Sequence, residues 1–192
     1  KKHKRKRIII GVVIAVILIL GLGGAFGAVT AKKEISDIKQ QAVVLKADLK
    51  NVLSALKAQD ADSTFAACDE LDIALDNINA TLDKPLWRMV YKVPKFKGYI
   101  DSVEKLLSLV DEASNDIARP TAAVFEEYPL SELKVDDGFN ITVINAYLSL
   151  LEDIEPKIDD IVYSMNQVNL PMGLNSMISD YSTQIASMTG SY

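Results

Sequence analysis

The chain has 192 residues, 49% of them hydrophobic, with 21 Lys and Arg against 26 Asp and Glu. Six of the basic residues stand in the first seven positions, so the rest of the chain holds 15 basic and 26 acidic residues, a net charge of −11. That balance excludes a general polyanion-binding surface and gives no expectation of nucleic acid as a partner, while a single cysteine, Cys68, excludes an internal disulfide.

From Ile8 to Val29 no charge interrupts an apolar run with fourteen Ile, Val, Leu or Phe residues. A helix of that length rises about 33 Å at 1.5 Å per residue, enough to cross a hydrocarbon core of about 30 Å. The sequence therefore predicts one transmembrane helix over 8–30. Val29-Thr30-Ala31 resembles a signal-peptidase site, but the run is longer than the roughly 7–15 residues of a signal peptide, which favours a retained anchor. Lys1-Lys2-His3-Lys4-Arg5-Lys6-Arg7 ahead of it sets the orientation, with residues 1–7 a cytoplasmic tail against anionic lipid and 31–192 extracytoplasmic. The chain is thus expected in the cell membrane as a single-pass protein. Gly23 and Gly27 form a GxxxG pair that would let two membrane helices pack as a weak homodimer.

The exported region opens with a helical hairpin over 31–83. Ile35, Ile38, Ala42, Leu45, Leu49, Val52 and Leu56 follow one another at alternating spacings of three and four, a heptad seam. We read it as one arm of an antiparallel intramolecular hairpin rather than a parallel dimer. Asp60, Asp62 and Ser63 mark a turn and a new helix start, after which Phe65, Cys68, Leu71, Leu75, Ile78 and Leu82 share one face. Cys68 reads as a small buried apolar residue. Asp60, Asp62, Asp69, Asp72 and Asp76 lack the spacing of a calcium loop and read as caps and solvated face.

Residues 84–99 form an elbow containing the only Trp, two Pro and one Gly. A short helix from Pro85 to Lys92 and then a turn from Pro94 to Gly98 is the expected shape. Trp87 and Tyr91, four apart, would fill the joint. Arg88, Lys92, Lys95, Phe96 and Lys97 complete the alternative, a basic aromatic patch that meets lipid headgroups, an anionic envelope polymer or an envelope protein.

Further helices fill 100–192. Ile100, Val103, Leu107, Val110 and Ile117 mark one, which Arg119-Pro120 kinks or ends. Asp136-Asp137-Gly138 is a turn signature. Ile144, Leu148, Leu151, Ile154, Ile158, Ile161, Met165 and Val168 set the next stripe, with a kink or break expected at Glu155 before Pro156. A last helix is expected after Leu170-Pro171, to about Met188. No stretch sustains strand alternation, so the fold class is all-α: one N-terminal membrane helix, then an elongated extracytoplasmic bundle of antiparallel hairpins.

The basic tail, membrane helix, heptad helix and turn, followed by Leu86-Trp87-Arg88, Val93-Pro94 and Gly98, resemble the bacterial membrane-anchored family known as domain of unknown function four-zero-one-two. The resemblance implies the helical N-terminal region of a larger cell-envelope protein, linked in that family to surface polysaccharide or cell-wall assembly. It transfers no catalytic residue.

The exported residues hold no His, no phosphate-binding glycine loop and no GxSxG, so no catalytic residue, metal ligand or cofactor is assigned. The expectation is a non-catalytic stalk or interaction domain. Alternatives from other classes are a ligand-sensing helical bundle and the N-terminal part of a polymer-transfer enzyme whose active site lies beyond residue 192.

Overall fold

A computed structural model describes residues 30–136 and 138–168, and these are mostly helical. The basic tail, the apolar run with Gly23 and Gly27, and the expected last helix lie outside the described residues. Among the described residues no helix is long and apolar enough to cross a membrane.

Helix α1, Thr30–Ala58, buries Ile38, Ala42, Leu45 and Val52, with Leu49 and Leu56 partly covered, so the heptad seam is the side that packs. Gln59 turns the chain with a φ of 57°. Asp60 then caps α2, Ala61–Leu82: one carboxylate oxygen accepts the Ser63 N–H at 3.0 Å and the other the Ser63 hydroxyl at 2.7 Å. These bonds hold the Asp60 carboxyl below its usual range. Cys68, Leu71, Leu75, Ile78 and Leu82 face α1, closing an antiparallel hairpin.

Two proline-started helices follow, α3 at Pro85–Tyr91 and α4 at Pro94–Ala113. The turn expected over Pro94 to Gly98 does not form there; it is confined to Lys92 and Val93, and Pro94 opens α4. Proline at a first helical position lacks only an N–H that would be unpaired anyway, and Gly98 inside the helix costs about 1 kcal/mol. Nor does the helix end at Arg119-Pro120. The backbone widens into a π-helical turn at Ser114–Ala118 and continues as α5, Arg119–Glu127, because Pro120 has no N–H to return to the preceding turn.

A 3-10 turn at Leu130–Glu132 leads to a minimal hairpin, β1 (Lys134–Val135) against β2 (Gly138–Phe139), with Val135 opposite Gly138. Gly138 has a φ of 152°, which favours glycine and accounts for the Asp-Asp-Gly signature. Two-residue strands are too short to show as alternation in the sequence. Asn140 caps α6, Ile141–Gln167, its side-chain oxygen accepting the Thr142 N–H at 3.1 Å.

Helix α6 departs from expectation twice. Of the kink or break expected at Glu155, the break does not form: the helix runs on through Pro156. Its core side follows the expected stripe only in the C-terminal half, where Met165 and Val168 are buried and Ile161 packs on the core; earlier in the helix Val143 and Leu150 are buried instead, and Leu148 and Leu151 are 52% and 48% exposed. The helix carries two overlapping apolar seams, and the one through Val143 and Leu150 faces the bundle. Helix α1 packs on α2, α2 on α4 and α5, and these on α6, which leaves α1 and α6 at opposite edges.

Candidate functional site

The elbow is built on the short helix α3, which Pro85 starts and whose Lys92 cap returns its N–H to Met89 and Val90. Trp87 is 4% exposed and belongs to the same core as Leu82, Val103, Leu107 and Val168. Its indole N–H has no acceptor among the described residues, so its role there is apolar bulk. Tyr91 is only half-buried, and the Lys97 ammonium lies 4.8 Å from its ring centre. Lys97 also pairs with Asp101 at 3.0 Å. The Tyr91 hydroxyl and then Asp101 push the Lys97 ammonium above its usual range, while the Lys97 hydrogen bond holds Asp101 below its own.

The basic residues of the elbow are largely answered from within. Lys84 faces Asp37 of α1 at 3.9 Å and Arg88 faces Asp83 at 3.4 Å. Glu104 adds another carboxylate, its proton affinity raised by burial and then by Asp101 and Asp83. Lys92 is exposed, without an ion pair among the described residues. Lys95 lies in the first turn of α4, and Phe96 beside it is half-buried. The structure thus separates the candidate residues: Trp87 turns inward, while Arg88 and Lys97 stay outside paired with acids and Lys92 is exposed.

Beside the elbow, α1 and α2 leave a cleft of about 260 Å³ lined by Asp37, Gln40, Gln41, Val44, Ala74 and Asn77. Gln41 Nε2 donates to Thr81 Oγ1 at 3.0 Å, and the Thr81 hydroxyl donates to the Asn77 carbonyl at 3.0 Å. With the Thr81 proton so engaged, Gln41 must turn its amide N–H toward it, which leaves Gln41 Oε1 buried and without a partner among the described residues. Sequence reasoning missed this group because Gln41 and Thr81 meet only once the hairpin register is known.

Asp69 and Asp72 do converge, but on a cation of the chain itself. Arg119 Nη2 donates to Asp69 at 2.8 Å and to Asp72 at 2.6 Å. Burial alone would lower the Arg119 pKa, yet the hydrogen bonds it donates to Asp69 and Asp72 outweigh that and raise it. Among the described residues no group of three or more His, Cys, Asp and Glu could hold a metal ion. No family model, curated protein or solved structure matches the chain, so the family resemblance rests on the residues quoted for it.

Proposed function

We propose that the chain is a non-catalytic, membrane-anchored helical stalk or interaction domain of a bacterial cell-envelope protein. The observation that carries this reading is α1, which is helical from Thr30, directly after the apolar run, and continues for 29 residues without Gly or Pro. Such a helix reaches about 44 Å at 1.5 Å per residue and would lift the rest of the bundle off the bilayer. The elbow then sits near the membrane end, because Lys84 faces Asp37 in the early turns of α1. The family resemblance adds the setting, surface polysaccharide or cell-wall assembly.

Fractionation of cells producing the full chain tests the proposal. The protein should stay with membranes after alkaline carbonate washing, and externally added protease should digest residues 31–192. Recovery in the soluble fraction, or protection of that region in intact spheroplasts, would overturn it. The ligand-sensing reading has one observation in its favour: Gln41 lines the cleft, and its buried Oε1 has no hydrogen-bond partner among the described residues. A melting-temperature screen of small polar compounds against the full chain, repeated with Gln41→Ala, checks that reading. Stabilisation lost in the variant supports it, and stabilisation kept removes it.

A further inference from the structure

The two edge helices of the bundle carry opposite charge on their outward faces. On α6 the outer seam runs through Ile141, Ile144, Leu148, Leu151, Ile158 and Val162 in alternating steps of three and four, with Glu155 filling the one gap. It is not the side that faces α4 and α5, since Val143 and Leu150 are buried there. Glu152, Glu155 and Asp159 stand on or beside this seam, all exposed and none in an ion pair among the described residues. The one cation of that stretch, Lys157, turns inward and donates to the Asp116 carbonyl at 3.5 Å.

On α1 an exposed flank, one residue (about 100°) round from the seam that packs on α2, repeats the same rhythm with the opposite sign. Lys39, Val43, Lys46, Lys50, Leu53 and Lys57 follow at steps of four, three, four, three and four. Val43 and Leu53 are exposed. The acids of α1 lie elsewhere: Asp48 is buried, Asp37 lines the cleft, and one Glu34 oxygen is buried.

We propose that α6 of one copy packs against α1 of a second copy, side by side. An α6–α6 contact would bring carboxylates together and an α1–α1 contact would bring lysines together, so only the crossed pairing joins opposite charges around an apolar seam. Heights across the bundle agree. Gln41 bonds Thr81, Arg119 spans Asp69 and Asp72, Lys157 reaches Asp116, and the Tyr147 hydroxyl donates to the Tyr128 carbonyl at 3.1 Å. Followed from helix to helix, these rungs put Leu53 level with Leu151, and Lys46 and Lys50 level with 152–159. The level match rests on both copies standing in one membrane as proposed above, whereas the pairing of faces does not. Because α1 and α6 run in opposite directions, the contact continues the up-and-down order of the bundle. It is also heterologous, so a copy added at one edge leaves the other edge open and rows can grow.

The test uses the full chain with Cys68→Ala, in which copies carrying Leu53→Cys are mixed with copies carrying Leu151→Cys in phosphatidylcholine–phosphatidylglycerol vesicles and mildly oxidised. Disulfide-linked dimers are expected in the mixture and not in either copy alone, and a chain with both cysteines should give a ladder. Lys46→Glu with Lys50→Glu on the Leu53→Cys copy should cut linkage by about tenfold, equivalent to about 1.4 kcal/mol. Glu155→Lys with Asp159→Lys on the other copy should restore it. No linkage in the mixture while circular dichroism shows the helical fold, equal linkage in the single-cysteine samples, or insensitivity to charge reversal would overturn the proposal. So would capture of Leu151→Cys by Met177→Cys in the same chain, which would make the final segment the occupant. Failure of the anchoring reading shows separately, as chains that link in detergent but do not float with vesicles.

Discussion

Arg119 reaches from the first turn of α5 to Asp72 on α2 at 2.6 Å, and the same nitrogen holds Asp69 at 2.8 Å. The contact fastens the far half of the helix started by Pro94 onto the α1–α2 hairpin, directly after the π-helical turn. The second Asp72 oxygen is buried and without a hydrogen bond among the described residues, so that carboxylate depends on the guanidinium. Arg119→Ala should destabilise the protein by about 1–2 kcal/mol after discounting for the partial exposure of both aspartates. Arg119→Lys, which keeps the charge and one nitrogen, should recover about half of that loss. Urea titration of the two variants checks this, and equal loss in both would mean that the guanidinium geometry, which Lys lacks, does the holding rather than charge or stem.

The contrast between this pair and the helices shows what the sequence makes legible. The α1 seam and the α2 face appear as periodicity because each residue's burial follows from its own helix. The Asp60 cap is legible too, since it is completed within three residues. Arg119, Asp69 and Asp72 are separated along the chain, and Gln41 and Thr81 lie on different helices, so their meeting depends on how helices pair. Helix α6 defeats periodicity for another reason: two apolar seams share one helix, and nothing within it says which one the bundle takes.

Cys68 is fully buried between α1 and α2. Its thiol should resist a water-soluble maleimide in the native protein and react when urea unfolds the hairpin, with labelling tracking the loss of helical signal. Rapid labelling of the folded chain would show that the hairpin opens locally at that point.

Asp48 gives the bundle a defined pH dependence. Burial first, and then the charge of Glu70, raises its carboxyl above the usual range. A folded-state value above the unfolded one means that the stability this group contributes is complete below about pH 4 and is lost as pH rises through the folded value. Asp101 acts in the opposite sense, because its lowered value contributes stability above the usual carboxylate range and loses it as pH falls. Asp48→Asn should therefore raise the melting temperature at pH 7 by about 2 °C and leave it unchanged at pH 3, where the native carboxyl is already protonated. Calorimetry at both values decides the matter, and an equal gain at both would assign the effect to shape rather than charge.

The elbow offers the sharpest test, since its two roles predict opposite patterns. Trp87 is buried in the core with its indole N–H unpartnered among the described residues, so its contribution there is volume. Trp87→Ala should cost about 3–5 kcal/mol, whereas Trp87→Phe, which keeps most of the bulk and forfeits no hydrogen bond, should cost well under half of that. Lys92→Gln and Arg88→Gln should change stability by less than about 1 kcal/mol, because Lys92 is exposed with no ion pair among the described residues and the Arg88–Asp83 pair is exposed on both sides. Emission from Trp87 should be blue-shifted, poorly quenched by iodide and indifferent to anionic vesicles. If the emission instead resembles free indole and shifts when vesicles are added, and the lysine and arginine changes abolish that shift while Trp87→Ala leaves the melting curve intact, the elbow is a lipid-contacting patch and not a joint.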